Sequence, residues 1–137
     1  MNYTKKDLLY LPLGGSGEIG MNCNLYHFED RWIMIDLGVT FSDNDSNNYD
    51  LIMPNIDFIL ERVNKLSALI LTHAHEDHIG AVPYLIKRLK NVPIYATSFT
   101  ASVLKRKFLS VGLTDYKINI MDYGKEIYID EFTLEIF

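Results

Sequence analysis

Short strand-forming runs separated by three stretches of helical period predict an α/β (α+β) chain with a layered plan. Strand signals outnumber helix signals. A glycine-rich turn closes the first strand, and three strands follow the last helix in quick succession. The chain has 137 residues, of which 48% are hydrophobic, and a formal net charge of −5. That length suits one domain, residues 1–137, with enough apolar content for a packed core.

Each element has its own signal. Leu8–Leu13 reads as the first strand, ended by the turn Gly14-Gly15-Ser16-Gly17. Asn24–Phe28 is a second strand, joined through a Glu29-Asp30 hairpin turn to Trp32–Ile35. Ser42–Asp50 holds three Asp and three Asn among nine residues and reads as a surface loop. Ile56, Ile59, Leu60 and Val63 recur at helical spacing. Ser67–Thr72 is a nearly continuous apolar strand, the pattern of a strand buried on both faces. Ala81–Leu89 is a helix, with Pro83 in its first turn, where a missing N–H costs little. Pro93–Ala96 is a strand, and Thr100–Leu109 is a helix closed near Gly112. Lys117–Met121, Glu126–Ile129 and Phe132–Phe137 are three further strands.

Composition removes several classes. A single cysteine, Cys23, excludes an intrachain disulfide and fits a reducing compartment. The apolar runs are a few residues long, against about 18–20 needed to cross a bilayer. Leu8–Leu13 is too short for the core of a signal peptide. The expectation is a cytoplasmic protein with no membrane partner. Between residues 79 and 117, Lys87, Arg88, Lys90, Lys105, Arg106, Lys107 and Lys117 face one acid, Asp115. This basic stretch suits either a phosphate backbone or simple exposure to solvent.

The chemistry concentrates in Thr72-His73-Ala74-His75-Glu76-Asp77-His78-Ile79-Gly80. Three of the four histidines fall within six residues, with an aspartate among them. Imidazole and carboxylate are the donors preferred by borderline divalent cations such as zinc. Placed together without a cation, these groups would compete for protons. The segment follows a buried-looking strand and precedes a helix. Such a loop can point His73 and His75 one way while Asp77 and His78 face another, a division that two neighbouring ions need. The fourth histidine, His27, is read as an ordinary strand residue.

The pattern His73-x-His75-x-Asp77-His78 resembles the signature of the metallo-β-lactamase superfamily. Ile33-Met34-Ile35-Asp36-Leu37-Gly38 is similar to that superfamily's first motif. The resemblance implies a partial metallo-β-lactamase αβ/βα sandwich, the first half of the fold, truncated within this chain. It assigns His73 and His75 to one metal ion, and Asp77 and His78 to another. It makes Asp77 a catalytic residue that helps orient the attacking water, and Asp36 a carboxylate that supports the site without ligating. Glu76 is expected to face away or to make a local hydrogen bond.

Leu13-Gly14-Gly15-Ser16-Gly17-Glu18-Ile19-Gly20-Met21-Asn22 is similar to the opening of ribonuclease J-like nucleases. So are the run from Asp36-Leu37-Gly38 through Phe41 to Tyr49-Asp50-Leu51-Ile52-Met53-Pro54, and His75 through Leu85. The implied activity is RNA phosphodiester hydrolysis by metal-activated water, with two divalent ions, zinc above all, in a complete member. That family also carries a third histidine, a bridging aspartate and a further histidine later in the chain, an inserted β-CASP domain and a C-terminal domain. The expectations are therefore that RNA is the partner of the complete enzyme, that this chain alone is not a competent nuclease, and that a complementing chain carrying the remaining ligands is possible. With part of the sandwich absent, exposed strand edges and apolar faces are expected as well. The competing readings are another hydrolase of the same fold, acting on a thioester or lactone, and a non-catalytic metal-binding relic.

Overall fold

The computed structural model describes residues 2–43 and 49–137. The strands are β1 (Leu9–Gly14), β2 (Cys23–Phe28), β3 (Arg31–Ile35), β4 (Thr40–Asp43), β5 (Tyr49–Ile52), β6 (Leu66–Ile70), β7 (Ile94–Ala96), β8 (Ile118–Ile120), β9 (Glu126–Ile129) and β10 (Phe132–Glu135). The helices are α1 (Asp57–Leu60), α2 (Glu76–Ile79), α3 (Val82–Leu85) and α4 (Ser98–Ser110), with 3-10 turns at Val63–Lys65 and Ile86–Leu89.

Six strands form one sheet in the order β1-β2-β3-β6-β7-β8. β1, β2 and β3 pair antiparallel, while β3, β6, β7 and β8 run parallel. Alternation along β3 and β6 explains why both strands read as continuous apolar runs. Trp32, Met34 and Leu69 join the large core under the helices, while Ile33, Ala68 and Ile70 join a second core on the opposite face. The antiparallel hairpin β9–β10 covers that second face through Ile127, Ile129, Phe132 and Leu134. The result is a helix layer on one face of a six-stranded mixed sheet and a two-stranded sheet on the other, with β4 and β5 forming a separate pair, which is the predicted class. α4 docks on the first core through Ala101, Leu104 and Phe108.

The sheet leaves β1 and β8 as edges, with Leu8, Tyr10 and Ile120 exposed beside them. Tyr128 and Phe137 are exposed on the hairpin side. No helix among the described residues is long and apolar enough to cross a membrane.

Three element readings need correction. The helix expected over Ala81–Leu89 begins at Glu76 and is broken into α2, α3 and a 3-10 turn that ends at Lys90 in the left-handed region (φ 45°). Asp77 and His78 thus lie in the first turn of a helix and not in the loop before it. The helical spacing at Ile56–Val63 yields only the single turn α1 followed by a 3-10 turn. The flanks of the predicted loop Ser42–Asp50 are strand, because Thr40–Asp43 pairs with Tyr49–Ile52. Residues 44–48 of that loop lie outside the described residues.

Candidate metal centre

The centre is built where β3 and β6 end side by side. Asp36 follows β3 directly, in the left-handed conformation at φ 64°, which aspartate tolerates better than most residues. Its backbone N–H donates to Ile70 O at 2.8 Å, which fixes the end of β3 on β6. The next residues then lace onto α2. Leu37 N–H donates to His78 O at 2.8 Å, and Val39 N–H donates to Glu76 O at 3.0 Å. Between them, a Cβ on Gly38 would overlap the Asp77 carbonyl. Only glycine lets the two segments approach this closely.

The buried Asp36 carboxylate organises the imidazoles. It accepts hydrogen bonds from Thr72 N–H at 2.8 Å and from Thr72 Oγ1 at 2.8 Å, and it lies 2.7 Å from His78 Nδ1. An ionised carboxylate only accepts, so His78 Nδ1 carries a proton, and in the neutral ring Nε2 then keeps the lone pair. The single hydroxyl proton of Thr72 is committed to Asp36. Thr72 Oγ1 therefore accepts from His73 Nδ1 at 3.0 Å, leaving His73 Nε2 as a lone-pair donor too. One carboxylate thus sets two ring tautomers, directly and through a hydroxyl.

The rings gather closely. His73 and His75 have centroids 4.7 Å apart at 70°, and His73 and His78 are 3.9 Å apart at 47°. His75 precedes α2 in an extended conformation, and its side chain makes no capping bond to the helix. Partial desolvation holds His73 below the ordinary histidine range, and the neighbouring His78 ring adds to this. A neutral ring is the form that ligates a cation. Asp77 Oδ2 lies 3.5 Å from His78 Nε2, so the Asp77–His78 pair faces one direction together.

Among the described residues, no three His, Cys, Asp or Glu side chains are arranged to hold a single ion. The donors lie in one cluster, in which the His73 ring is nearer to His78 than to His75. Their chemistry, imidazole nitrogen with carboxylate oxygen and neutral tautomers already set, fits a divalent cation of borderline hardness.

Glu76 faces away from the rings, and its carboxylate pairs with Lys107 of α4, 31 residues distant, so the contact is not local. His27 is fully buried in β2, with Nδ1 2.7 Å from Asp7 O and its ring between Tyr3 and Trp32. It lies in the helix-side core and takes no part in the cluster. Lys87, Arg88, Lys90, Lys105 and Arg106 are exposed. Sequence reasoning assigned no role to Thr72 or Asn22, although the amide of Asn22 reaches both Asp77 and His78. The signal for Asn22 was its place at the end of the glycine-rich segment.

A family model described as the metallo-beta-lactamase superfamily matches residues 17–120. Ribonuclease J of Sinorhizobium meliloti is 43% identical over 135 residues, covering 95% of this chain and 24% of the relative. Ribonuclease J of Thermus thermophilus is 35% identical over 134 residues, covering 93% and 23%. The chain therefore spans about a quarter of the length of these relatives. Among solved structures, a flavo di-iron protein from Thermotoga maritima aligns with a TM-score of 0.56 at 21% identity, over 82% of this chain and 26% of the other. The metallo-beta-lactamase IND-7 aligns with a TM-score of 0.51 at 19% identity, over 92% and 52%. These structural likenesses extend to the fold.

Proposed function

Because the chain belongs to the metallo-β-lactamase superfamily, we propose that it forms the first metal-binding half of a ribonuclease J-like enzyme that hydrolyses RNA phosphodiesters. The observation that carries this reading is the relay from Asp36 to His78 and, through Thr72, to His73, which leaves both Nε2 lone pairs unprotonated in a tight cluster of rings. A support of this kind is costly to build for a surface loop and useful for ligand orientation. His73 and His75 would hold one divalent ion and Asp77 and His78 the other, with zinc favoured by the nitrogen-rich donor set. Bound there, such ions would neutralise phosphate charge and acidify an attacking water. The Asp77 carboxylate would accept a hydrogen bond from that water and so orient it. Asp36 supports without ligating, since both its oxygens are taken by Thr72 and His78.

Two donors per ion fall short of the three protein ligands of a typical catalytic zinc. Hydrolysis is therefore proposed for the complete site, with the remaining ligands supplied from beyond these residues or by a complementing chain. The exposed lysines and arginines of the 3-10 turn at Ile86–Leu89 and of α4 would meet the RNA backbone. The similarity to the ribonuclease J proteins, along nearly all of this chain, supports RNA over a small ester and a cytoplasmic setting.

Elemental analysis of the purified chain tests the site. Stoichiometric zinc is expected, and the equivalent at the His73–His75 pair should be lost when His73→Ala and His75→Ala are combined. An unchanged zinc content in that variant removes the assignment. Co-expression with the complementary segment of the Sinorhizobium meliloti relative tests the reaction. RNA cleavage that disappears with His73→Ala is expected. Turnover of a thioester or lactone without RNA cleavage would assign another class of hydrolase, and metal without any turnover would mark a binding relic.

A further inference from the structure

The glycine-rich segment Gly14–Asn22 has no part in the scheme above, yet it ends on the centre. The backbone of Asn22 is already secured: its N–H donates to Asp77 O at 2.8 Å, and its carbonyl accepts from Gly38 N–H at 3.0 Å. The side chain is not needed for that anchoring. Its Nδ2 lies 3.1 Å from Asp77 O, 3.4 Å from Asp77 Oδ2 and 3.2 Å from His78 Nε2. All three are acceptors, because His78 carries its proton on Nδ1, facing Asp36. Only the amide nitrogen can face them, and this settles the orientation of the carboxamide.

The amide oxygen is held from the other side. A Cβ on Gly15, where φ is +83°, would overlap Asn22 Oδ1 and reach within 3.0 Å of Asn22 Cα. The turn thus takes a conformation that glycine adopts freely, and it packs directly on this carboxamide.

We propose that Asn22 is a positioning residue whose carboxamide, backed by Gly15, latches the Asp77–His78 donor pair in its ligand-ready state, and that a cation entering this pair must displace it. The proposal rests on the metal reading given above. The amide nitrogen lies against Asp77 Oδ2 and His78 Nε2, the atoms a cation at this pair would take. The latch gives these acceptors a partner while no ion is bound, which spares them the penalty of an unsatisfied polar group. It also keeps the His78 lone pair on Nε2. In exchange, loading of this pair is weaker than that of an open donor pair.

The test uses the 137-residue chain, zinc as the probe, and the variants Asn22→Ala and Asn22→Leu, the second of which keeps the volume while removing the donor. Long-range proton–nitrogen NMR of the metal-free chain reports the His78 ring directly. With the latch, Nε2 reads as a hydrogen-bonded, unprotonated nitrogen, and both variants move it towards a free imine nitrogen. Calorimetric titration should show the second zinc equivalent binding about tenfold tighter in the variants, the equivalent of one net hydrogen bond. An unchanged His78 signal in both variants overturns the latch. So does zinc uptake that is reduced by the His73→Ala, His75→Ala pair yet indifferent to Asn22, an outcome that leaves the metal reading standing. If no chain takes up zinc, the metal reading falls and the latch with it.

Discussion

Thr72 shows how much a single hydroxyl can decide at this centre. Its proton goes to Asp36 and its lone pair receives His73 Nδ1–H, so the orientation of His73 depends on a residue that is not itself a donor to metal. Thr72→Val keeps the shape and removes the relay. Zinc affinity at the His73–His75 pair should fall about 10–100-fold, the usual cost of losing an orienting partner, while circular dichroism and the Asp36–His78 contact stay unchanged. Asp36→Ala removes both branches together and leaves Thr72 N–H and the part-buried His78 Nδ1 without their acceptor. It should cost about 2–3 kcal/mol of unfolding free energy, measured in denaturant, in addition to the metal affinity. Cys23 makes the opposite point. Burial, aided by the charge of Asp36, pushes its thiol up to about 12, so at pH 8 it should react with thiol reagents only as fast as the chain unfolds. Reaction at the rate of a free thiol would contradict the packing of β2.

At the scale of elements, the site depends on two segments being laced together, the one after β3 and the helix α2. Gly38 is the point of closest approach, and Gly38→Ala drives a methyl group into the Asp77 carbonyl. We expect a loss of more than about 3 kcal/mol or a failure to fold, since the three hydrogen bonds around it cannot be kept; a chain of unaltered denaturation midpoint would refute the close approach. This lacing could not be read from sequence, because it is a backbone-to-backbone contact between residues about 40 apart. What could be read was the histidine-rich stretch itself, the strand that ends on it and the aspartate after β3, since each has a local signal of period or residue type. α2 was hidden for a physical reason. Glu76-Asp77-His78 carries no apolar periodicity, and only Glu76 and Asp77 in its first turn hint at a helix start through their favourable dipole interaction. β4 and β5 were hidden by the polar composition of the sequence between them, although Thr40 and Phe41 pair with Ile52 and Leu51. The part played by Asn22 is invisible in sequence, because its side chain meets atoms 55 and 56 residues away.

For the molecule as a whole, the sheet must stay covered on both faces, or β3 and β6 lose the burial that their composition demands. The helix side holds most of the core, so the β9–β10 hairpin is the weaker cover, and its attachment is polar as well as apolar. Asp130, in the turn between β9 and β10, pairs with the hydroxyl of buried Ser67 on β6 and with Arg31 Nε at 3.2 Å at the start of β3. Arg31 also donates to Ser67 Oγ at 2.8 Å, closing a three-residue clasp across 99 positions of sequence. The Ser67 hydrogen bond, and after it the Arg31 charge, holds the Asp130 carboxyl below its ordinary value of 3.8. A carboxyl depressed in the folded state binds fewer protons there than in the unfolded chain. Its stabilisation is therefore complete above the ordinary carboxylate range and is lost as pH falls through the folded-state value. Ser67→Ala should raise the Asp130 carboxyl towards 3.8 by NMR titration, lower stability at neutral pH by roughly 1 kcal/mol, and flatten the acid limb of the stability curve. The loss should appear first as faster amide exchange in β9 and β10, because the clasp fastens the hairpin and not the sheet beneath it. Exchange that instead rises uniformly through β3 and β6 would mean that the hairpin and the main sheet open as one unit, and that the second face is held by its apolar contacts alone.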